Sequence, residues 1–459
     1  MKAVIGRSAI ALATLATTVT AAIIPRQQGS LPPITVEGNA FYAGGERFYI
    51  RGVAYQPGGA ADAADPMLDM EAFTRDVANF KELGINTIRI YTIDNSANHD
   101  EAMKMLDEAG IYLTLDANTP DYSLNRLDID SLHQSYNDVY LQNVFATIDA
   151  FAGYSNLAMF YSGNEVINAK NNSNSAPYVK AVTRDMKNYI KAQAPRSIPV
   201  GYSAADVTEN IYQQATYFAC GDDATARADF FALNDYAWCD PSSFEESGWD
   251  QKVQLYGNYS LPLFLSEYGC ITNQRNWGEV GSLYSTDMTG VYSGGLAYEY
   301  TVEPNGYGLV EVDSSGAISP NRDFTALMQA FQATSNPSGD GGARRQTSVM
   351  ECPAESENWQ VSTNLLPEIP SGAADYIKNG AGKAVGLAGD GSQTAGGQSE
   401  TEPDLSNGVT TSESDVDGQQ NNNNGSSGNG GDKKGAANGR EVAVMTMVVG
   451  LAVAFAAVL

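Results

Sequence analysis

The sequence predicts a closed parallel (β/α)8 barrel of the TIM type with a disordered C-terminal stalk. Three observations carry this. Eight β-rich apolar runs alternate with helical patterns between residues 47 and 334. No Gly-rich phosphate loop follows the first run, which argues against an open doubly wound sheet. Residues 377–454 hold no aromatic side chain, so that stretch is expected to bury too little apolar surface to order itself. A chain of 459 residues accommodates one barrel-sized domain plus extensions.

The strand candidates are residues 47–55, 85–91, 111–117, 157–165, 197–204, 230–238, 261–269 and 294–302. Helical segments at 69–83, 99–109, 138–152 and 178–194 fall between them, and the Asp69 and Asp100-Glu101 regions supply acidic, cap-forming starts. The barrel is bounded at residues 31–335. Both ends of the chain read as addresses. Lys2 and Arg7, an apolar run over 8–24 and small residues near 20–22 predict a signal peptide over 1–22. At the other end, the small triplet Asn429-Gly430-Gly431, a polar spacer over 432–441 and an apolar tail over 442–459 predict a glycosylphosphatidylinositol (GPI) anchor at Asn429, with the tail removed. Residues 377–441 are then the stalk. Secretion makes Cys220, Cys239, Cys270 and Cys352 candidates for two disulfides, with three connectivities open. Sequons at Asn171, Asn258 and Asn424 suit an extracellular chain.

Composition excludes several functions. With 27 Lys+Arg against 54 Asp+Glu the net charge is −27, the wrong sign for a nucleic-acid partner. A mean hydropathy of −0.27 excludes a polytopic membrane protein. Only His99 and His133 occur, neither with a Cys or His at ligand spacing, so no metal and no cofactor are expected, and a Ser-His-Asp triad is disfavoured.

Barrel chemistry sits at the C-terminal ends of the strands. Glu165 closes the fourth run, directly after Asn164, and Glu267 lies near the end of the seventh. Strands four and seven face each other across the barrel mouth, and paired carboxylates flanking a bond are what glycoside cleavage requires. Aromatic residues at other strand ends (Tyr91, Tyr236, Trp238, Tyr298) suit stacking on sugar rings, although most of the 25 tyrosines are expected to fill the barrel wall.

The blocks Arg51-Gly-Val-Ala-Tyr-Gln-Pro-Gly-Gly59, Asn86-Thr-Ile-Arg-Ile-Tyr91, Asn98-His-Asp-Glu101, Tyr161-Ser-Gly-Asn-Glu165, Ser266-Glu-Tyr-Gly-Cys270 and Ser293-Gly-Gly-Leu-Ala-Tyr298 resemble the fungal GPI-anchored β-1,3-glucanosyltransferases of glycoside hydrolase family 72. The resemblance spans residues 31–333 and the segment around Cys352. It implies that Glu165 is the acid/base and Glu267 the nucleophile. It also implies that Tyr91, Asn164, Asp206, Tyr236, Tyr298, the loop from Asp121 to Asn125 and, in a matching motif, Gln56 hold the glucan. It pairs Cys220 with Cys352 and Cys239 with Cys270, making residues 336–376 a post-barrel segment tied back by Cys352. Phe73 and Ala102 stand where many relatives carry a further cysteine pair, Ala54 where an Asp is usual, and Ile211 where an Arg substrate contact is expected. The activity implied is retaining cleavage of an internal β-1,3-glucan bond and transfer of the new reducing end to the non-reducing end of another glucan, elongating wall glucan. An endo-β-1,3-glucanase and an inactive glucan binder are the alternatives. The expected partners are donor and acceptor glucan chains and, through the anchor, the membrane. The expected protein is a monomer at the outer leaflet of the plasma membrane or in the wall.

Overall fold

The computed structural model describes residues 29–59, 63–361, 366–393 and 395. Three short antiparallel strands come first: β1 (Ile34–Glu37), β2 (Ala40–Ala43) and β3 (Glu46–Phe48). The barrel then closes from β4 (Ile50–Ala54), β5 (Thr87–Ile90), β6 (Tyr112–Asp116), β7 (Leu157–Asn164), β8 (Val200–Ala205), β9 (Phe230–Asn234), β10 (Leu263–Tyr268) and β11 (Tyr292–Ala297), all parallel, with β11 pairing back to β4. Each of the eight apolar runs supplies one barrel strand. The sixth and eighth runs extend past their strands, because residues 235–238 and 298–302 turn across the barrel mouth instead of continuing the ladder.

The helices are α1 (Met70–Leu83), α2 (Asp100–Ala109), α3 (Ile129–Ser135), α4 (Asp138–Phe151), α5 (Ala176–Gln193), α6 (Ile211–Ala219), α7 (Trp249–Leu255), α8 (Glu279–Leu283), α9 (Arg322–Ala333) and α10 (Ser371–Asn379). A small hairpin, β12 (Val310–Val312) and β13 (Ile318–Pro320), precedes α9. The caps follow local chemistry. The Asp69 carboxylate accepts from Ala72 N to start α1, and Gly84, at φ 78°, closes that helix in the left-handed conformation. His99 stands before α2 without a side-chain cap bond, and its ring instead lies 2.7 Å from Asp65.

The first two strands have no counterpart among the eight runs and β3 takes up the start of the first run; together they plug the bottom of the barrel. Phe41 of β2 meets Phe230 and Phe264 edge-on, at centroid distances of 6.1 and 5.7 Å, within a buried cluster that includes Ile50, Met159 and Tyr161. With that end sealed, the open end is the one where the strands finish.

The post-barrel chain is fastened at several points. Cys220 pairs with Cys352 across 132 residues and Cys239 with Cys270 across 31, the pairing the resemblance implies. In the chain-entropy model the longer loop restricts the unfolded chain by about 5 kcal/mol. A stalk beginning at residue 377 is corrected by the structure. Helix α10 packs on α4 and α5, Ala381 and Ser392 are fully buried, and Gln193 Nε2 donates to the Ile377 carbonyl at 2.7 Å. Aromatic side-chain area is not needed here, because this segment orders through small buried residues and backbone hydrogen bonds. The signal-peptide, anchor and tail residues, and the stalk beyond 395, lie outside the described residues.

Candidate active site

The two glutamates reach the mouth by different routes. Glu267 lies within β10 and is 8% exposed. Glu165 follows the last residue of β7, with its N–H donating to the Ser203 carbonyl at 2.9 Å and its backbone at φ 50°. That left-handed conformation costs a non-glycine residue about 1 kcal/mol, a strain found where a side chain must point in one functional direction.

Glu267 is gripped from both sides. Tyr91 Oη donates to Oε1 at 2.9 Å, Tyr236 Oη donates to Oε2 at 2.7 Å, and Arg89 Nη1 stands 3.6 Å from Oε1. Burial, and after it the charge of Glu165, push the Glu267 carboxyl up to about 7, while Arg89 and the two tyrosine hydroxyls oppose the rise. Arg89 is itself completely buried, bonded to Asp116 through Nε and Nη2 at 2.9 and 3.1 Å and sandwiched 4.3 and 4.2 Å from the Tyr91 and Tyr161 rings. Burial works against its charge, but Asp116 and the two tyrosines outweigh burial, so the guanidinium stays cationic.

A second network orients the other carboxylate. Asn234 Nδ2 donates to Glu165 Oε1 at 2.8 Å and to Asn164 Oδ1 at 3.2 Å, and Ser203 Oγ lies 2.7 Å from the same Asn164 oxygen. Ser266 Oγ in turn donates to Asn234 Oδ1 at 2.8 Å. With its oxygen taken, Asn164 keeps its N–H donors for a ligand. At the rim, Tyr236, Tyr298 and Tyr307 form an edge-to-face trio with centroid distances of 5.4 to 6.3 Å.

Hydrogen bonds, ring contacts and charge thus join Glu165, Glu267, Tyr91, Asn164, Tyr236 and Tyr298 in one cluster. Gln56 enters it indirectly: its Oε1 accepts from the Tyr91 and Thr92 backbones at 3.2 and 3.1 Å, and its Nε2 donates to Ala64 O at 2.8 Å. Asp206 belongs to a neighbouring ion cluster in which Lys252 Nζ is 2.6 Å from both Asp206 and Asp235. Asp121 is exposed and Asn125 Oδ1 accepts from Leu127 N at 3.1 Å, so both reach the pair only through their loop, whose Arg126 Nη1 donates to the Glu165 carbonyl. Ile211 is buried in α6, leaving no polar contact where the resemblance expects an arginine. The Cys239–Cys270 bridge ties the segment after β9 to the residues just beyond Glu267. Among the described residues no group of three or more His, Cys, Asp or Glu is placed to hold a metal ion.

Sequence reasoning passed over Arg89, Asp116, Ser203, Asn234, Ser266, Arg126 and Tyr307. Arg89 carried a usable signal: an arginine inside a buried parallel strand requires an acidic partner, and Asp116 ends the next strand. The serines and Asn234 carried none, since such residues are common at strand ends.

A buried carboxylate held by cationic and hydroxyl donors, facing a second carboxylate with its own amide donor, is the apparatus of glycosidic-bond cleavage. The barrel is therefore that of a glycoside-cleaving enzyme. The family model described as glucanosyltransferase, Glyco_hydro_72, matches residues 24–335. The chain is 59% identical over 380 residues to 1,3-beta-glucanosyltransferase gel1 of Aspergillus fumigatus, covering 83% of each protein. It is 50% identical over 361 residues to 1,3-beta-glucanosyltransferase GAS5 of Saccharomyces cerevisiae, covering 78% of this chain and 74% of that one. It is also similar to the structure of Saccharomyces cerevisiae Gas2p in complex with laminaritriose and laminaritetraose, with a TM-score of 0.69, 35% identity, and coverage of 74% of this chain and 77% of that one. The chain belongs to the glucanosyltransferases of glycoside hydrolase family 72.

Proposed function

We propose that this protein is a retaining 1,3-β-glucanosyltransferase that cuts an internal β-1,3-glucan bond and joins the new reducing end to the non-reducing end of a second glucan. The observation that carries the reading is Glu267 pinned between Tyr91, Tyr236 and Arg89 opposite Glu165. Glu267 attacks the anomeric carbon while Glu165 gives its proton to the leaving glycosidic oxygen, producing a glycosyl ester on Glu267. Glu165, now a carboxylate, removes the proton from an acceptor hydroxyl. That oxygen attacks the anomeric carbon and Glu267 leaves. Retention sets an expected carboxyl separation of about 5–5.5 Å. Asn164 supplies N–H donors to the sugar at the reacting centre. Asp121, Asn125 and Asp206 are assigned to glucan further along the cleft, and Gln56 supports the Tyr91 turn.

Water at about 55 M competes for the ester, so transfer requires subsites that hold an acceptor hydroxyl in line. The Tyr236–Tyr298–Tyr307 trio supplies flat faces for such a subsite beside Glu267. Incubating a single β-1,3-linked oligosaccharide with the enzyme and sizing the products tests this. Products longer than the starting oligomer are expected; only shorter ones, at high oligomer concentration, would make it an endo-glucanase.

The pH profile follows from the nucleophile. Glu267 must be ionised to attack, and burial together with the charge of Glu165 raises its carboxyl to about 7. Hence kcat/KM is expected to climb as the pH rises through about 7, where the nucleophile ionises. In Tyr236→Phe the Glu267 anion loses a donor, so this acid limb should move to higher pH. An unmoved limb would break the link between this hydroxyl and the titration.

The addresses complete the reading: a monomer, secreted after loss of residues 1–22, anchored through Asn429 and freed of residues 442–459. The support is the sequence pattern. No helix among the described residues is long and apolar enough to cross a membrane. Mass spectrometry of protein purified from cells is expected to find no peptide from 442–459; recovery of Leu459 would refute the processing.

A further inference from the structure

The chain after α10 does not leave the barrel at once. It climbs from the helical wall to the catalytic face. Ala381 N donates to Tyr189 Oη at 2.8 Å and the Ala381 carbonyl accepts from Gln142 Nε2 at 3.0 Å, which fixes the lower end on α4 and α5. Higher up, Gly386 N donates to Asn95 Oδ1, in the loop after β5, at 3.1 Å. At the top the segment meets the loop after β6. Ser392 N donates to the Asp121 carbonyl at 2.9 Å, Asn137 Nδ2 donates to the Ser392 carbonyl at 2.8 Å, and Gln393 Nε2 donates to Ser123 Oγ at 2.9 Å. This is the loop that carries Asp121 and Asn125 and whose Arg126 reaches the Glu165 carbonyl.

The contact is close enough to dictate residue type. A Cβ on Gly389 would lie 1.8 Å from Tyr122 Oη, and Tyr122 is buried at the centre of that loop. A Cβ on Gly386, at φ 66°, would come within 2.3 Å of Asp94 Oδ1. Side chains are thus excluded where the strap crosses the two loops, and the strap's own backbone supplies bonds to both. A low-complexity segment that merely trailed from the barrel would need neither property.

We propose that residues 380–393 are a clamp that holds the loop after β6 in its glucan-binding position, so that part of the post-barrel segment is a positioning element of the active site. The proposal rests on the assignment of Asp121 and Asn125 to glucan made above. A loop anchored at Ser123 and at the Asp121 carbonyl presents those side chains with less ordering cost on binding, an effect on glucan affinity and not on the chemical step.

The test uses the full-length secreted protein with Gly389→Ala. Amide hydrogen exchange in residues 119–126 is expected to quicken at least about tenfold, and KM for a long β-1,3-oligosaccharide to rise about three- to tenfold with kcat within twofold of wild type. Tyr122→Phe combined with Gly389→Ala removes the obstructing oxygen, leaving Cζ at 3.1 Å as the nearest atom, and is expected to restore both readouts. Unchanged exchange in Gly389→Ala would overturn the clamp. Faster exchange with an unchanged KM would overturn its positioning role, and Asp121→Ala separates the causes. If KM is also unchanged in that variant, the loop's assignment to glucan fails; if KM rises there, the assignment stands and the clamp alone fails. Equal loss of kcat and melting temperature without rescue by Tyr122→Phe would reduce the strap to general stability.

Discussion

Glu267→Gln is expected to lower transfer by at least about a thousandfold while making the protein harder to unfold at neutral pH. The loss follows from chemistry: an amide neither forms the glycosyl ester nor leaves from it. The gain follows from linkage. The folded state raises this carboxyl from 4.5 to about 7, so it binds the proton more tightly than the unfolded chain does. Stability from this group is complete below about pH 4.5 and declines as the pH rises through about 7, a loss of about 3 kcal/mol. The glutamine carries no such penalty. Melting temperatures of wild type and variant should therefore converge at pH 4.5 and separate by pH 8, the variant being higher. A variant that unfolds more easily at pH 8 would mean that the donors from Tyr91, Tyr236 and Arg89 outweigh burial of the anion. Near-normal transfer would remove Glu267 from the nucleophile's role.

Arg89→Met is the second large effect, and it acts through another residue. Arg89 is a positioning residue: its guanidinium lies 3.6 Å from Glu267 Oε1, but its two short bonds go to Asp116. Removing it leaves a buried carboxylate without a partner, at a cost of about 3–5 kcal/mol, and withdraws the cation that favours ionised Glu267. Transfer is expected to drop about a hundredfold, with the acid limb of the pH profile moving upward as Glu267 becomes harder to ionise. Pairing Arg89→Met with Asp116→Leu separates the two consequences. The double variant should recover most of the urea midpoint, because no charge is left unpaired, and none of the activity. Recovery of both would make the ion pair purely structural.

The parts of this protein that were legible in its sequence are those in which a residue's type already constrains its surroundings. Eight apolar runs at barrel spacing become strands because backbone polarity buried under helices must pair along a closed ladder. Glu165 and Glu267 were identifiable because strand number alone places a residue at the mouth and on opposite walls. The disulfide pairing was available only through resemblance, since spacing left three connectivities open. Contacts between distant segments were not legible. Phe41 as the barrel plug, Asn234 and Ser203 behind Asn164, and Tyr307 against Tyr236 gain their roles from neighbours 30 or more residues away in the chain. The strap over residues 380–393 is the sharpest case. Its glycines and polar residues read as stalk because local composition measures what a segment buries by itself. Tertiary structure decided otherwise: fixed donors and acceptors on α4, α5 and the loops after β5 and β6 meet its backbone, and glycine lets that backbone come close enough to bond.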